Sequence, residues 1–340
     1  MARSEITIDL GAVRRNARVL LDALAGAELW AVVKADGYGH GAVDVARAAL
    51  GAGATALCTA TVSEALPLRA AFPDARLIVL SPTAEGEVTA AREAKLELVI
   101  SDDRPLPEGV PVHLELDTGM GRWGLSELPK PQTHVVGLMS HLATADGDLA
   151  FAERQIERFR EATEPYPGYT RHIANSAAVL RLPWARFDAA RCGIALYGLS
   201  PFGGDPADDG LEPALYWRSE VAQIKRLEPG ESTGYGRRFV AERPIWIGLV
   251  PVGYADGFRR DLTGTRVRVG DELQPVVGTI SMDSFAVKLP AQLPVGTPVT
   301  LIGDDVLADD HARVAGTIGY ELVCGIDASA LRARRSVVDA

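Results

Sequence analysis

The sequence predicts an α/β protein, with an N-terminal (β/α)8 TIM-type barrel over residues 1–212 and a mostly β domain over 213–340. Three observations carry that prediction. Short apolar runs alternate with longer amphipathic stretches up to about residue 210, the rhythm of βα units around a parallel sheet. Eight such runs follow one another, which suits a closed barrel better than an open sheet. The Gly/Pro/Asp stretch "PFGGDPADDGLEP" then ends the rhythm, and turn-separated β-type runs follow it.

The barrel strands are expected, in order, at "LWAVVK", "TALCTA", "RLIVLS", "LELVI", "VHLELD", "VVGLMSH", "RHIAN" and "CGIALYG". Between them "GAVDVARAALGAG", "TVSEALPLRAA", "EGEVTAAREA" and "FAERQIERFREATE" repeat apolar residues at three and four, as helices do. Beyond the linker, strands are expected in "WRSEVAQIKRL", "IWIGLVPVGY", "TRVRVG", "QPVVGTISMDSFAVKL" and "TPVTLIG", with no further helical pattern.

Composition narrows the class. With 340 residues, 47% hydrophobic and 24% charged, the chain can bury at least one large core. A formal charge of −10 argues against general attraction to nucleic acid or anionic membranes. No stretch approaches the roughly 18 apolar residues of a membrane span. The N-terminus interrupts its apolar residues with charges, so a cytoplasmic protein is expected. Cys58, Cys192 and Cys324 lack the spacing of a zinc site or disulfide framework and read as reduced, mostly buried thiols.

In such barrels chemistry sits where strands end and βα loops begin. The polar residues there are Lys34, Thr59, Ser81, Asp117, His141, Asn175 with Ser176, and the loop after Arg191. Lys34 ends an apolar run and leads into "ADGYGHG", whose glycines permit positive φ and close backbone approach to a bound group. A lysine in a partly desolvated mouth has its ammonium form disfavoured, and its neutral amine can attack an aldehyde to give a Schiff base. Across the barrel, backbone N–H groups around Gly193 and Ile194, with the hydroxyls of Ser176 and Tyr38, form a cradle where barrels commonly hold phosphate. Together these features suggest a phosphorylated aldehyde cofactor.

The segments "AVVKADGYGHG", "ELDTGMGRWG", "SHLATAD", "HIANSAA", "RCGIALYG", "STGYGRRFVAERP", "VPVGYADGF", "GTISMDSFAV" and "AGTIGYELVCGI", in that order over nearly the whole chain, resemble the alanine racemases. The resemblance implies a pyridoxal 5'-phosphate enzyme of fold type III that interconverts L- and D-alanine in a homodimer with shared active sites. It implies Lys34 as the Schiff-base lysine and Tyr235, from the other subunit, as the opposing base. Racemisation needs two such groups, or one that changes face, because the proton leaves one side of Cα and returns on the other. It places His141 and Arg191 beside the cofactor, with Arg191 facing the pyridine nitrogen. Tyr38, Ser176, Gly193, Ile194 and Tyr320 fall on the phosphate positions. Arg122, Met282 and Asp283 fall near the substrate, and Tyr254, with Tyr320, at a narrow entry. A role in supplying D-alanine for cell-wall synthesis is the family expectation.

Two departures from the family pattern stand out. Where many members have a lysine, often carbamylated, seven residues before the matching arginine, this chain has Glu115. Period-two alternation puts His113, Glu115 and Asp117 on one strand face, so Glu115 is expected to supply a permanent negative charge and to hold Arg122 by a charge-assisted hydrogen bond. The other departure is "GIDASALRARRSVVDA" at the C-terminus, which replaces a segment resembling R-V-P-R and is expected to leave the catalytic positions untouched. Rival functions are a racemase of broader amino-acid range, a fold-type III decarboxylase and a non-enzymatic cofactor carrier. The β domain with "STGYG" argues against the carrier. Arg191, where a decarboxylase would have an acidic partner for the pyridine nitrogen, argues against the decarboxylase.

Overall fold

Strand β1 (Glu5–Asp9), five residues before the first long helix, lies outside the barrel that the sequence assigns it to. In the computed structural model, which describes residues 3–130, 134–303 and 305–340, the chain forms two units. One is Ala12–Glu212; the other combines the chain up to Gly11 with Pro213–Ala340.

Among the described residues of the first unit, eight parallel strands close a barrel: β2 (Glu28–Val32), β3 (Ala56–Thr59), β4 (Arg76–Val79), β5 (Glu97–Ile100), β6 (Val112–Glu115), β7 (Val135–Met139), β8 (Thr170–His172) and β9 (Ala189–Cys192). Closure is made by β2 on β9, with Trp30 opposite Arg191 and Ala31 opposite Cys192. Buried runs such as Ala56–Thr59 and Val112–Glu115 are covered on both faces, as parallel strands require. Helices Ala42–Ala52, Val62–Ala71 and Leu149–Thr163 lie where the apolar periodicity places them. The eighth strand is displaced: it is Ala189–Cys192, and "IALY" is a 3-10 turn instead. Gly193, at φ −114° and ψ −90°, ends the strand and starts that turn.

The second unit carries β10 (Leu215–Glu220), β11 (Gln223–Leu227), the short β12 (Ser232–Thr233) and β13 (Phe239–Val240), β14 (Ile245–Val250), β15 (Arg266–Val269), β16 (Glu272–Val277), β17 (Phe285–Leu289), β18 (Pro298–Ile302) and β19 (Arg334–Val338). Their ladder runs β11-β14-β17-β16-β15-β18-β10-β1-β19. The single run expected from 217 to 227 is therefore two strands with separate partners, β18 for one and β14 for the other. Helices Ala308–Ala315 and Gly319–Cys324 interrupt what the sequence reads as an all-strand region. The first of these buries His311, which hydrogen-bonds Thr265 Oγ1 and the Leu301 carbonyl at 2.6 Å each.

The domain boundary differs from the expected 1–212 because β1 pairs antiparallel with β10 and parallel with β19. Its Ile6 and Ile8 are fully buried. Ile8→Ala should cost about 2–5 kcal/mol, with faster hydrogen exchange concentrated in β10 and β19. Loss of protection confined to the barrel strands would contradict this placement of β1.

Candidate active site

Lys34 leaves the end of β2 half-buried and begins a turn in which Ala35, Asp36, Gly37, Tyr38 and Gly39 all have positive φ, between 50° and 80°. L-residues pay about 1–2 kcal/mol each in the left-handed region, so the turn must be held from outside. Glu64 Oε1 accepts from the Ala35 N–H at 2.9 Å, and Asp36 Oδ1 accepts from the Ala42 N–H at 2.8 Å. Tyr197 Oη donates to the Val32 carbonyl at 2.8 Å and packs against the Tyr38 ring, centroids 4.9 Å apart. Sequence reasoning missed both Glu64 and Tyr197. Residues 61–64 nonetheless form a capping box for the helix Val62–Ala71, and the second oxygen of Glu64 accepts from the Thr61 N–H at 3.4 Å and from the Ala60 N–H at 2.8 Å.

Arg191, on the strand beside Lys34's, is 4% exposed. Its Nη1 donates to His172 Nδ1 at 2.7 Å and to the His172 carbonyl at 2.9 Å. Its Nη2 donates to the Ser140 carbonyl at 2.8 Å and to His141 Nδ1 at 3.2 Å. No described residue accepts from Nε. Burial lowers the guanidinium pKa from its ordinary value, yet arginine starts so high that it stays charged. Burial and the Arg191, Arg122 and Lys34 charges push His141 down to about 3, so it is neutral and, accepting at Nδ1, carries its proton on Nε2. His172, at the very end of β8, was not among the expected site residues; the only local signal for it was its place in "RHIAN".

Tyr38 lies over Gly193: a Cβ built on that glycine would stand 2.5 Å from the Tyr38 hydroxyl. Ser176 Oγ accepts from the Gly193 N–H at 3.1 Å, and Ile194 opens a 3-10 turn, so its N–H precedes the first intrahelical acceptor. The structure thus brings Tyr38, Ser176, Gly193 and Ile194 together as hydroxyl and backbone groups suited to an anion. Asn175 instead caps the helix that begins at Ser176, and Thr59 bonds the Thr61 carbonyl.

The expected bond between Glu115 and Arg122 is not formed. Glu115 is buried and accepts from Ser101 Oγ, just beyond the end of β5, at 2.8 Å. Arg122 sits exposed in the glycine-rich turn after β6 and makes no hydrogen bond or ion pair with a described residue. Burial raises the Glu115 carboxyl, partly offset by Ser101, Arg191 and Arg122. His113 and Glu115 do share the inner face, but the strand ends there. Asp117 belongs to the turn, where it accepts from the Gly119 N–H at 2.8 Å and the Gly121 N–H at 3.1 Å.

The remaining expected residues lie in the second unit. Tyr235 is 73% exposed, while its carbonyl is pinned by Thr279 Oγ1 at 2.7 Å. Tyr254 and Met282, both exposed, come from adjacent turns joined by Tyr254 N–H to the Ser281 carbonyl and Ala255 N–H to the Met282 carbonyl, each 3.1 Å. Arg3 and Arg332 knit those turns: Arg3 Nη2 donates to the Asp283 carbonyl at 2.6 Å, and Arg332 Nη1 to Asp283 Oδ1 at 3.0 Å. Both also reach buried Asp256, at 3.7 and 3.5 Å. The divergent C-terminal segment therefore does touch a predicted site residue, because the return of the chain to β19 carries Arg332 past Asp283. Tyr320 is half-buried on the helix Gly319–Cys324.

Known proteins match this chain over nearly its whole length. The family model described as alanine racemase, N-terminal domain, matches residues 8–201, and that for the alanine racemase C-terminal domain matches 214–334. An alanine racemase of Streptomyces coelicolor is 41% identical over 367 residues, covering 95% of this chain and 94% of that protein. One from Listeria monocytogenes is 37% identical over 347 residues, covering 94% of each. The solved alanine racemase from D-cycloserine-producing Streptomyces lavendulae superposes with a TM-score of 0.92 at 35% identity, covering 100% of this chain and 98% of that one.

Because burial raises the Glu115 carboxyl, the folded state holds that proton more tightly than the unfolded chain does. The resulting stabilisation is complete below the ordinary carboxylate range and is lost as pH rises through the raised folded value. Glu115→Gln, which keeps an acceptor for Ser101, should therefore gain in Tm relative to the parent as pH rises from below the ordinary carboxylate range to above the raised folded value. A pH-independent difference in melting temperature would show that the buried carboxyl is not titrating in this way.

Proposed function

The chain belongs to the alanine racemase family and interconverts L- and D-alanine, and we propose that it does so with pyridoxal 5'-phosphate at the barrel mouth and two proton-carrying groups, Lys34 and Tyr235 of a second copy. One observation carries the cofactor reading. Arg191 is a buried cation whose four Nη contacts are all neutral barrel acceptors, leaving Nε as a directed donor one strand away from Lys34.

The residues fit the group. Lys34 supplies an amine at the end of a barrel strand, Arg191 Nε a donor for the ring nitrogen, and Tyr38, Ser176, Gly193 and Ile194 a cradle for the phosphate, to which Tyr320 would add. When bound, pyridoxal phosphate acidifies the substrate α-proton by accepting the electron pair that it leaves. A guanidinium does not readily give up a proton, so Arg191 leaves the ring nitrogen unprotonated and restrains that electron withdrawal. The same choice disfavours side reactions and the decarboxylase reading.

Lys34 Nζ would anchor the cofactor and move the proton at one face of Cα. Tyr235 Oη would move it at the opposite face. A phenol is a poor base at neutral pH, so its anion must be stabilised, and neutral His141, proton on Nε2, offers a donor within the Arg191 network. The exposure of the Tyr235 ring over a pinned backbone supports its entry into a second copy's site, hence a homodimer with shared active sites. Arg122, Met282 and Asp283 would meet the substrate carboxylate region, and Tyr254 the entry. We place the enzyme in the cytoplasm, supplying D-alanine for cell-wall synthesis. No helix among the described residues is long and apolar enough to cross a membrane.

Purified protein given L-alanine in D2O should release α-deuterated alanine of both configurations; carbon dioxide release without inversion would assign it to a decarboxylase. Lys34→Ala should lose both racemisation and the visible absorbance of bound cofactor. Tyr235→Phe should lower racemisation in both directions by about 100- to 10,000-fold yet leave α-exchange of one enantiomer, since one face keeps its base. Mixing the two inactive variants under subunit exchange should restore part of the activity, because one site of each mixed dimer is intact. No recovery despite exchange would overturn the shared site.

A further inference from the structure

Behind Arg191 a line of hydrogen bonds crosses the barrel interior. His172 Nε2 faces His113 Nδ1 at 2.9 Å, and His113 Nε2 faces Glu97 Oε2 at 2.7 Å. Glu97 in turn receives Arg76 Nε at 2.7 Å and Arg76 Nη2 at 2.9 Å. His172 and His113 are fully buried, and Trp30 packs against both rings, centroids 4.5 and 5.7 Å away. The line starts at the C-terminal end of β9 and finishes at the first residues of β4 and β5, on the opposite side of the barrel from Lys34.

The donors in this line have only one consistent arrangement. A guanidinium N–H can only donate, so His172 Nδ1 must accept and its proton sits on Nε2. His172 Nε2–H then donates to His113 Nδ1, which puts the second proton on His113 Nε2, donating to Glu97. Protonating either ring would set two donors face to face, and burial keeps both below the ordinary histidine range. Every N–H therefore points from Arg191 towards the Glu97 carboxylate. The barrel reserves room for this: a Cβ on Gly137 of β7 would collide with His113 Nδ1.

We propose that Glu97 and His113 are positioning residues for the racemase reaction, acting through His172 to keep Arg191 locked with its Nε left for the cofactor ring. The anion at the far end fixes both tautomers and makes His172 Nδ1 the better acceptor, as carboxylates do behind metal-bound histidines. Without it the two imidazoles can reverse together, turning a donor towards Arg191 Nη1 and loosening the guanidinium. This rests on Arg191 facing the cofactor as proposed above, but the hydrogen-bond order itself does not.

The test is nitrogen-15 histidine NMR on the holoenzyme, with steady-state kinetics. The parent should show His113 and His172 both as neutral Nε2–H tautomers; an Nδ1–H signal for either ring overturns the proposal, whatever happens to the variants. Glu97→Gln puts an amide donor against Arg76 or His113. It should give mixed tautomers at both rings and a kcat lower by about 10- to 100-fold, with a smaller change in KM and with cofactor absorbance retained. Gly137→Ala should do the same while altering no charge, and Glu97→Asp should recover part of the loss. A fall in kcat with unchanged tautomers, or changed tautomers with normal kcat, overturns the positioning role. Absence of racemisation in the parent would count against the functional reading and leave the relay to be judged by the histidine signals.

Discussion

A guanidinium sealed in a barrel core with neutral acceptors as its direct partners sets the terms for what surrounds it. Arg191 does not readily lose its proton and is almost wholly buried, so each N–H that is not left for a ligand must find an acceptor in the wall. The ends of β7 and β8 provide them, as the Ser140 and His172 carbonyls and two imidazole nitrogens. That demand calls for an unprotonated Nδ1 on both His141 and His172.

The polar column that runs from Arg191 is tolerable because every N–H along it except Arg191 Nε meets an acceptor. A half-satisfied buried network is worse than an apolar core, and here the chain of donors that starts at Arg191 ends on the Glu97 carboxylate, itself held by Arg76. Burial would raise Glu97, but hydrogen bonds from His113 and Arg76 outweigh it and hold the carboxyl at about 2. The stability this contributes is present above the ordinary carboxylate range and is lost only as pH falls towards that value.

The left-handed turn after Lys34 answers a different need with the same economy. A chain that must bring an amine to the barrel mouth and then fold Tyr38 back over Gly193 has to reverse within a few residues, and a right-handed turn would send Tyr38 elsewhere. Three non-glycine residues accept positive φ there. The compensation is local hydrogen bonding from Glu64 and Asp36 and the packing of Tyr197. In the second unit, Arg3 and Arg332 play a comparable part, tying the turns that carry Tyr254 and Asp283 to the two ends of the chain.

What could be read locally was read well. Apolar runs and helical periodicity located the barrel, and strand-end logic singled out Lys34, His141, Ser176 and the loop after Arg191 as candidates, because both signals are carried within a few neighbouring residues. The misses share one physical cause. β1 is a strand only because β10 and β19 meet it, and Glu115 turns to Ser101 rather than Arg122 because β5 lies beside β6. Arg332 matters because the returning chain passes Asp283. By itself the sequence determined the barrel, the lysine at the end of its first strand and the resemblance to a racemase, since period, turn chemistry and motif are properties of adjacent residues. Only the tertiary structure decided which donor meets which acceptor across strands 16 to 59 residues apart, because a hydrogen bond depends on ångström-scale distance in space and not on order along the chain.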